Sequence, residues 1–240
     1  MLKKPFHCLL VTAIFGMLLT QPVLARGGGL ADIIHTSHGK LSAQWWQYVT
    51  SFSAADDPRA EDGAIDCVRN QNGPLIFLAG TNGGTAMRSC TIPRNKSLFF
   101  PMANFLFDNA PGEKPASVDE KREILDGVLS DLVPGLFADF GAPGSRACGI
   151  FATLDGEPLS YSGSIVRTQS PPFSVVTGPD GNPPDANDPE AVSDGFWALV
   201  PPLTPGEHTL RFGGRLCEFD GVADHPFVAP VDVTYHLTVE

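Results

Sequence analysis

The densest group of potential metal ligands in the sequence is an acidic, proline-rich tract over residues 180–190. Calcium prefers several oxygen ligands from a turn-rich loop, and this tract supplies carboxylate and amide oxygens at close spacing. The spacing differs from that of an EF-hand, because the required glycine and terminal acid are out of register. The alternative is a solvated cluster of Asx-Pro turns. The candidate calcium ligands are Asp180, Asn182, Asp185, Asn187, Asp188 and Glu190.

A second acidic segment has the same two interpretations. It carries Asp56, Asp57, Glu61, Asp62 and Asp66. Their oxygens are suited to a cation, or to capping the turns in which they lie.

Histidines provide the second kind of candidate site. His35 and His38 are three residues apart, which would place both rings on one face of a helix and suit a metal pair. Asp224 precedes His225 in a loop and could orient its ring. His208 lies on an apolar strand face, where a hydrogen-bonded core histidine is the simpler interpretation. The motifs GxSxG, HExxH, GxxxxGK[ST] and GxGxxG after a strand are absent, so no residue is assigned a catalytic role.

Aromatic side chains provide a third candidate, a surface that binds carbohydrate or protein. Trp45 and Trp46 are adjacent, and such pairs serve either as a sugar platform or as core anchors of a helix. The other residues considered for this surface are Tyr48, Tyr161 and Trp197.

The N-terminus has the layout of a secretory signal peptide over residues 1–25. Lys3 and Lys4 precede an apolar stretch, and Val23 and Ala25 occupy the −3 and −1 positions of a cleavage site. Cys8 lies within this segment. The other cysteines are Cys67, Cys90, Cys148 and Cys217. An even number in an exported chain predicts two disulfides. Three pairings are possible, and Cys67–Cys90 with Cys148–Cys217 is favoured because each pair flanks a contiguous block.

The remaining chain is predicted to comprise a flexible leader over 26–37 and a single domain over 38–240. Apolar residues at helical spacing predict a helix near 38–52. A second helix near 118–133 follows a capping box formed by Ser117 and Glu120. Short strands separated by turn residues account for most of the rest, and residues 231–239 alternate strictly between apolar and polar. The pattern predicts a mainly β fold, an antiparallel β-sandwich (immunoglobulin-like or jelly-roll-like) with two accessory α-helices.

Composition excludes some functions. The formal charge of −11 argues against binding nucleic acid through a net positive field. No apolar run after residue 25 approaches about 18 residues, so no membrane span is predicted once the signal is cleaved. The prediction is a soluble exported protein, periplasmic or secreted by a bacterium.

Three runs resemble uncharacterised exported bacterial β-sandwich proteins: residues 71–80, residues 88–93 and Phe99-Phe100-Pro101. Residues 203–210, with Pro205-Gly206-Glu207-His208, resemble the start of a strand in immunoglobulin-like bacterial modules. These resemblances imply a fold and an exported location, and no activity. The predicted function is a non-enzymatic envelope or extracellular binding protein, with an envelope glycan or a protein as ligand. The alternative is a metal-assisted hydrolase with a site of loop Asp and His residues.

Overall fold

The computed structural model describes residues 30–109, 114–132, 149–160, 164–180, 190–215 and 230–240. Within these ranges the chain forms two helices, one short 3₁₀ turn and eleven strands. The helices are α1 (Leu30–Thr50) and α2 (Val118–Leu132), and the 3₁₀ turn is Ala54–Asp56. The strands are β1 (Gly63–Ala64), β2 (Leu75–Phe77), β3 (Gly84–Ile92), β4 (Ser97–Phe107), β5 (Gly149–Leu154), β6 (Glu157–Pro158), β7 (Ile165–Gln169), β8 (Phe173–Ser174), β9 (Glu190–Val200), β10 (Gly206–Arg215) and β11 (Val231–Val239).

The strands form two sheets, which confirms the mainly β fold. One sheet has the order β1-β3-β11-β10-β5-β6, and the other has the order β2-β4-β9-β7 with β8 added to β9. The predicted antiparallel arrangement is wrong in three places, because β1–β3, β3–β11 and β2–β4 pair in parallel. Alternating polarity shows which face of a strand is buried but not the direction of its neighbour. The sheets are therefore mixed.

Aromatic side chains from both sheets meet in the core between them. The rings of Phe100 on β4 and Phe212 on β10 stack with centroids 4.3 Å apart. Tyr235 on β11 also stacks with Phe212, with the ring centroids 5.9 Å apart. Along β11, the alternation predicted from the sequence is confirmed, since Val233, Tyr235, Leu237 and Val239 are buried and the residues between them are more exposed.

Helix α1 packs on the outer face of the second sheet through Trp45 and Val49, which join Phe99 and Trp197 in a separate apolar cluster. It begins at Leu30, so residues 30–37 are helical and the predicted leader is wrong there. Residues 30–37 contain no proline that would interrupt the helix. Gly39, inside the helix, permits a close approach to the second sheet. A Cβ at that position would lie 2.6 Å from the carbonyl oxygen of Gln169 on β7.

Helix α2 begins at the predicted capping box. The Glu120 amide donates to Ser117 Oγ at 3.3 Å, and the Ser117 amide donates to Glu120 Oε2 at 2.7 Å. Leu125 and Leu129 are buried on its inner face. In the part of the chain with described structure, neither helix is long and apolar enough to span a membrane.

Candidate functional site

The disulfide between Cys67 and Cys90 confirms one predicted pair, with Cα atoms 5.9 Å apart. It ties the segment between the 3₁₀ turn and β2 to strand β3. Cys148 and Cys217 lie outside the described residues. A structural disulfide is typical of proteins that fold outside the reducing cytoplasm. It therefore indicates a non-cytoplasmic protein.

Each acid of residues 56–66 has a partner within the protein. Asp57 pairs with Arg59 at 2.9 Å, and Glu61 pairs with Arg69 at 2.8 Å. The other three accept hydrogen bonds: Asp56 from Ser53 Oγ, Asp62 from the Met87 amide and Asp66 from the Val68 amide. No cluster of three or more Asp, Glu, His or Cys side chains within the described ranges is arranged to hold a metal. Asp57 and Asp66, which accept from amides two residues on, match the turn-capping interpretation, whereas Asp62 bonds to strand β3.

Only two of the candidate calcium ligands of residues 180–190 are described. The carboxylate of Asp180 accepts hydrogen bonds from the Ala54 amide at 3.1 and 3.2 Å, which caps the 3₁₀ turn. Glu190 is exposed and begins β9. Asn182, Asp185, Asn187 and Asp188 lie outside the described residues, so the calcium site stays a prediction.

The candidate histidines are spread over the chain. His38 is buried on α1, with its ring 5.9 Å from the Phe99 ring. The backbone of His35 lies in the same helix, but its side chain is outside the described part. Asp224 and His225 also lie outside the described residues. The predicted metal pair and the predicted loop site remain predictions.

His208 on β10 is held by hydrogen bonds at both of its ring nitrogens. Its Nδ1 lies 2.7 Å from Asp155 Oδ2 and its Nε2 lies 2.9 Å from the Thr204 carbonyl oxygen. Both partners only accept hydrogen bonds, so both ring nitrogens carry protons. The bond to Asp155 raises the pKa of His208, and the Thr209 amide and His208 lower the pKa of Asp155.

The Thr204 hydroxyl lies 3.4 Å from His208 Nε2, which resembles the order of an Asp-His-Thr triad. A general base needs a free lone pair on the nitrogen that faces the nucleophile. Here the nearer carbonyl oxygen of Thr204 occupies that nitrogen. His208 therefore joins the start of β10 to the turn between β5 and β6, and its arrangement does not provide an activated nucleophile.

A cleft of about 450 Å³ lies where α1, the loop before β3 and the middle of β4 meet. It is lined by Trp45 and Trp46, by Arg59, by residues 80–83, by residues 101–105, and by Gly214 and Val231. In the loop, Gly83 has a φ of 108° and Gly84 a φ of 91°, conformations that favour glycine. This glycine-rich turn forms one side of the cleft.

The tryptophans divide between core and cleft. Trp197 is fully buried, and Trp45 is buried with its indole N–H donating to the Leu78 carbonyl oxygen at 2.9 Å. Trp46 is half-buried, with its ring 5.1 Å from that of Trp45 in an edge-to-face contact. Tyr48 is half-buried, and Tyr161 lies outside the described residues. Trp45 and Trp46 both line the cleft, and Trp46 is the more exposed of the two.

Three buried N–H donors have no hydrogen-bond partner among the described residues: Trp46 Nε1, Asn104 Nδ2 and Trp197 Nε1. Trp46 and Asn104 line the cleft. A Cβ at Gly195 would lie 2.7 Å from Asn104 Cβ and 2.9 Å from Trp197 Nε1, so these two groups share the space above that glycine. Each unmet buried donor costs about 1–3 kcal/mol. An acceptor that reached any of these donors would therefore be stabilising.

Asn104 was not singled out from the sequence. It follows a register shift between Pro101 and Ala103, a β-bulge that changes which residues of β4 face α1. A proline inside an apolar strand is a sequence signal for such a bulge. An asparagine three residues later is then a candidate for the exposed or ligand-binding side.

The charges around the cleft are compensated. Arg59, the charged residue of the lining, makes a bidentate contact with Asp57, with Nε–Oδ1 at 3.0 Å and Nη2–Oδ2 at 2.9 Å. The other polar side chains of the lining are neutral: Thr81, Asn82 and Asn104. The cleft therefore combines an indole wall, neutral donors and a paired arginine, which suits a neutral ligand.

Comparisons of the chain with protein-family models, with curated proteins and with solved structures find no match. The functional conclusion therefore depends on the cleft and its chemistry.

Proposed function

We propose that the chain is an exported, non-enzymatic binding protein that holds a neutral sugar ring of an envelope glycan in the cleft. The observation that carries this proposal is the pair of unmet donors, Trp46 Nε1 and Asn104 Nδ2, in the wall of an aromatic cleft. The predicted signal peptide and the Cys67–Cys90 disulfide support export to the periplasm or the medium.

Sugar chemistry matches each part of the lining. The apolar face of a sugar ring packs on an indole, as Trp46 offers, and its hydroxyl and ring oxygens accept hydrogen bonds from Trp and Asn donors. A charged ligand would need a counter-charge, and Arg59 already pairs with Asp57. The cleft volume falls in the range of about 300–1,000 Å³ that small-molecule sites occupy.

Isothermal titration calorimetry with tryptophan fluorescence tests the proposal. The probes are glucose, N-acetylglucosamine, cellobiose and maltose, followed by a glycan array. We expect saturable binding of at least one sugar with a change in indole emission. Asn104→Ala should weaken that binding about tenfold, or about 1.4 kcal/mol, because one ligand hydrogen bond is lost.

A second variant separates ring stacking from donation. Replacing Trp46 with β-(3-benzothienyl)alanine keeps the bicyclic ring and removes the N–H, so affinity should fall while the fold is retained. Thr85→Ala, on the exposed face of β3, is the matched control and should bind as the wild type does. The proposal would be contradicted if no sugar bound, or if Asn104→Ala bound the sugar with the same affinity as the wild type. Turnover of a bound glycan would contradict its non-enzymatic part.

A further inference from the structure

Arg88 on β3 is fully buried, and its guanidinium uses its full donor capacity. The five N–H groups of an arginine form a rigid, planar fork. In this structure they reach five oxygen atoms: Glu61 O from Nε at 2.8 Å, Ala79 O and Tyr235 Oη from Nη1 at 2.6 Å each, and Gly80 O at 3.1 Å and Arg59 O at 3.4 Å from Nη2. Four of these acceptors are backbone carbonyls and the fifth is a phenol.

All five acceptors are uncharged. Across the described residues, no carboxylate forms an ion pair with Arg88. Burying a charge is costly, and most buried charges are paired with an opposite one. Arg88 is instead stabilised by carbonyl dipoles and by its position over the Tyr235 ring, 5.3 Å from the centroid. This arrangement makes use of the shape of the fork, which a lysine could not reproduce.

The carbonyl acceptors belong to two separate segments, residues 59–61 and residues 79–80. One residue of each segment, Arg59 and Gly80, also lines the cleft. Tyr235 strengthens the second attachment, because its hydroxyl donates to the Ala79 carbonyl oxygen at 2.8 Å. A single side chain behind the cleft thus connects the segment that carries Arg59 to the glycine-rich loop.

We infer that Arg88 is a positioning residue: it sets the separation of these two segments, and through them the affinity of the cleft, without contacting the ligand. The inference rests on the proposed sugar site. A positioning role for Arg88 can be distinguished from a purely structural one. It affects local order around residues 59–61 and 79–84 more than it affects the stability of the whole domain.

Arg88→Lys is the informative variant, because it keeps the charge but has three donors on a single nitrogen. We expect faster amide hydrogen exchange at residues 59–61 and 79–84 in the ligand-free protein. We also expect about 10- to 100-fold weaker binding of whichever of the four sugars the wild type binds. Loss of a group that orients a metal ligand has an effect of this size in metal sites. Arg211→Lys is the matched control, since Arg211 pairs with Asp232 on the partly exposed face of β10 and should change neither readout.

Two outcomes overturn the inference. One is unchanged amide exchange at both segments of Arg88→Lys. The other is a folded Arg88→Lys protein that binds the same sugar as the wild type with unchanged affinity. If Arg88→Lys does not fold, Tyr235→Phe replaces it, since it removes only the hydroxyl between Arg88 and Ala79. Faster amide exchange at residues 79–84 in Tyr235→Phe supports the inference for that segment, and unchanged exchange overturns it. If the wild type binds no sugar, the proposed function fails, while the exchange result still decides whether Arg88 orders the two segments.

Discussion

The indole N–H of Trp45 donates to the carbonyl oxygen of Leu78, whereas that of the next residue, Trp46, is buried without an acceptor among the described residues. The two side chains are chemically identical and in contact. Both line the cleft, but Trp45 is buried in the cluster with Phe99 and Trp197, whereas Trp46 also packs beside Phe173 and Ala191. Proteins rarely retain unmet buried donors without a functional reason. Trp46 is therefore the better candidate for a contact with a ligand.

His208 should make the stability of the domain depend on pH. Its hydrogen bond to Asp155 raises its pKa above the ordinary 6.5, so its contribution is fully present below that pH and is lost as pH rises through the folded-state pKa. The pKa of Asp155 is lowered below 3.8, so its contribution is present above that pH and lost as pH falls through its own folded-state pKa. The nearby carboxylate of Glu207 also favours the charged imidazole.

Thermal unfolding of the wild type and His208→Gln between pH 3 and 9 measures this dependence. We expect the largest difference between pH 4 and 6.5, about 0.2–1 kcal/mol as for an exposed ion pair, and a smaller one at pH 9. His236→Gln, on the exposed side of β11, is the control. A difference between wild type and His208→Gln that is constant with pH would show that the contact is not an ion pair.

The chemistry of single residues could be predicted from the sequence only where the contacts were local. Asp57 and Asp66 accept hydrogen bonds from backbone amides two positions along the chain, and turn capping of this kind was one of the two interpretations open from the sequence. Arg88 meets Tyr235, which lies 147 residues away. Asn104 depends on a bulge and on a facing glycine, Gly195. Contacts of this kind require the tertiary fold, so neither residue was identified.

At the scale of elements, the two helices carry glycines in opposite situations. Gly39 in α1 lies against β7, where a Cβ would meet the backbone oxygen of Gln169 at 2.6 Å. Gly127 in α2 has nothing within 4 Å of an added Cβ. Gly39→Ala should therefore destabilise the domain by about 1–3 kcal/mol, because the helix must move away from the sheet. Gly127→Ala should stabilise it by about 0.5–1 kcal/mol through helix propensity.

Urea denaturation of the two variants beside the wild type provides the test. Each variant makes the same chemical change in a helix, so propensity alone would shift both in the stabilising direction. Stabilisation by Gly39→Ala would mean that α1 does not pack against β7 as closely as described.

Elements with local signals were predictable. The capping box placed the start of α2, and strict alternation identified β11. The parallel pairing of β3 with β11 was not, because the two strands are separated by most of the chain and no local pattern records their relative direction. The early start of α1 was missed although Leu30, Ile33 and Ile34 have helical spacing, because the polar residues and glycine of 35–40 separate them from Leu41.

At the scale of the whole molecule, the Cys67–Cys90 disulfide connects the segment that contains Arg59 to the larger sheet. Arg88 lies two residues from Cys90 and binds the same segment through the carbonyls of Arg59 and Glu61. The covalent link and the hydrogen bonds therefore act together. The disulfide limits how far the segment can move, and the guanidinium determines its position within that limit.

Replacing both cysteines, Cys67→Ala with Cys90→Ala, should lower the free energy of unfolding by about 3 kcal/mol. The two residues are 23 positions apart, and closing a loop of that length removes about this much free energy from the unfolded chain. Urea denaturation measures the change, and adding dithiothreitol to the double variant shows how much reduction of other cysteines contributes. Amide exchange at residues 59–61 should rise less than in Arg88→Lys, because the hydrogen bonds of Arg88 remain. Exchange that rises more in the double variant would assign the positioning of this segment to the disulfide and remove it from Arg88.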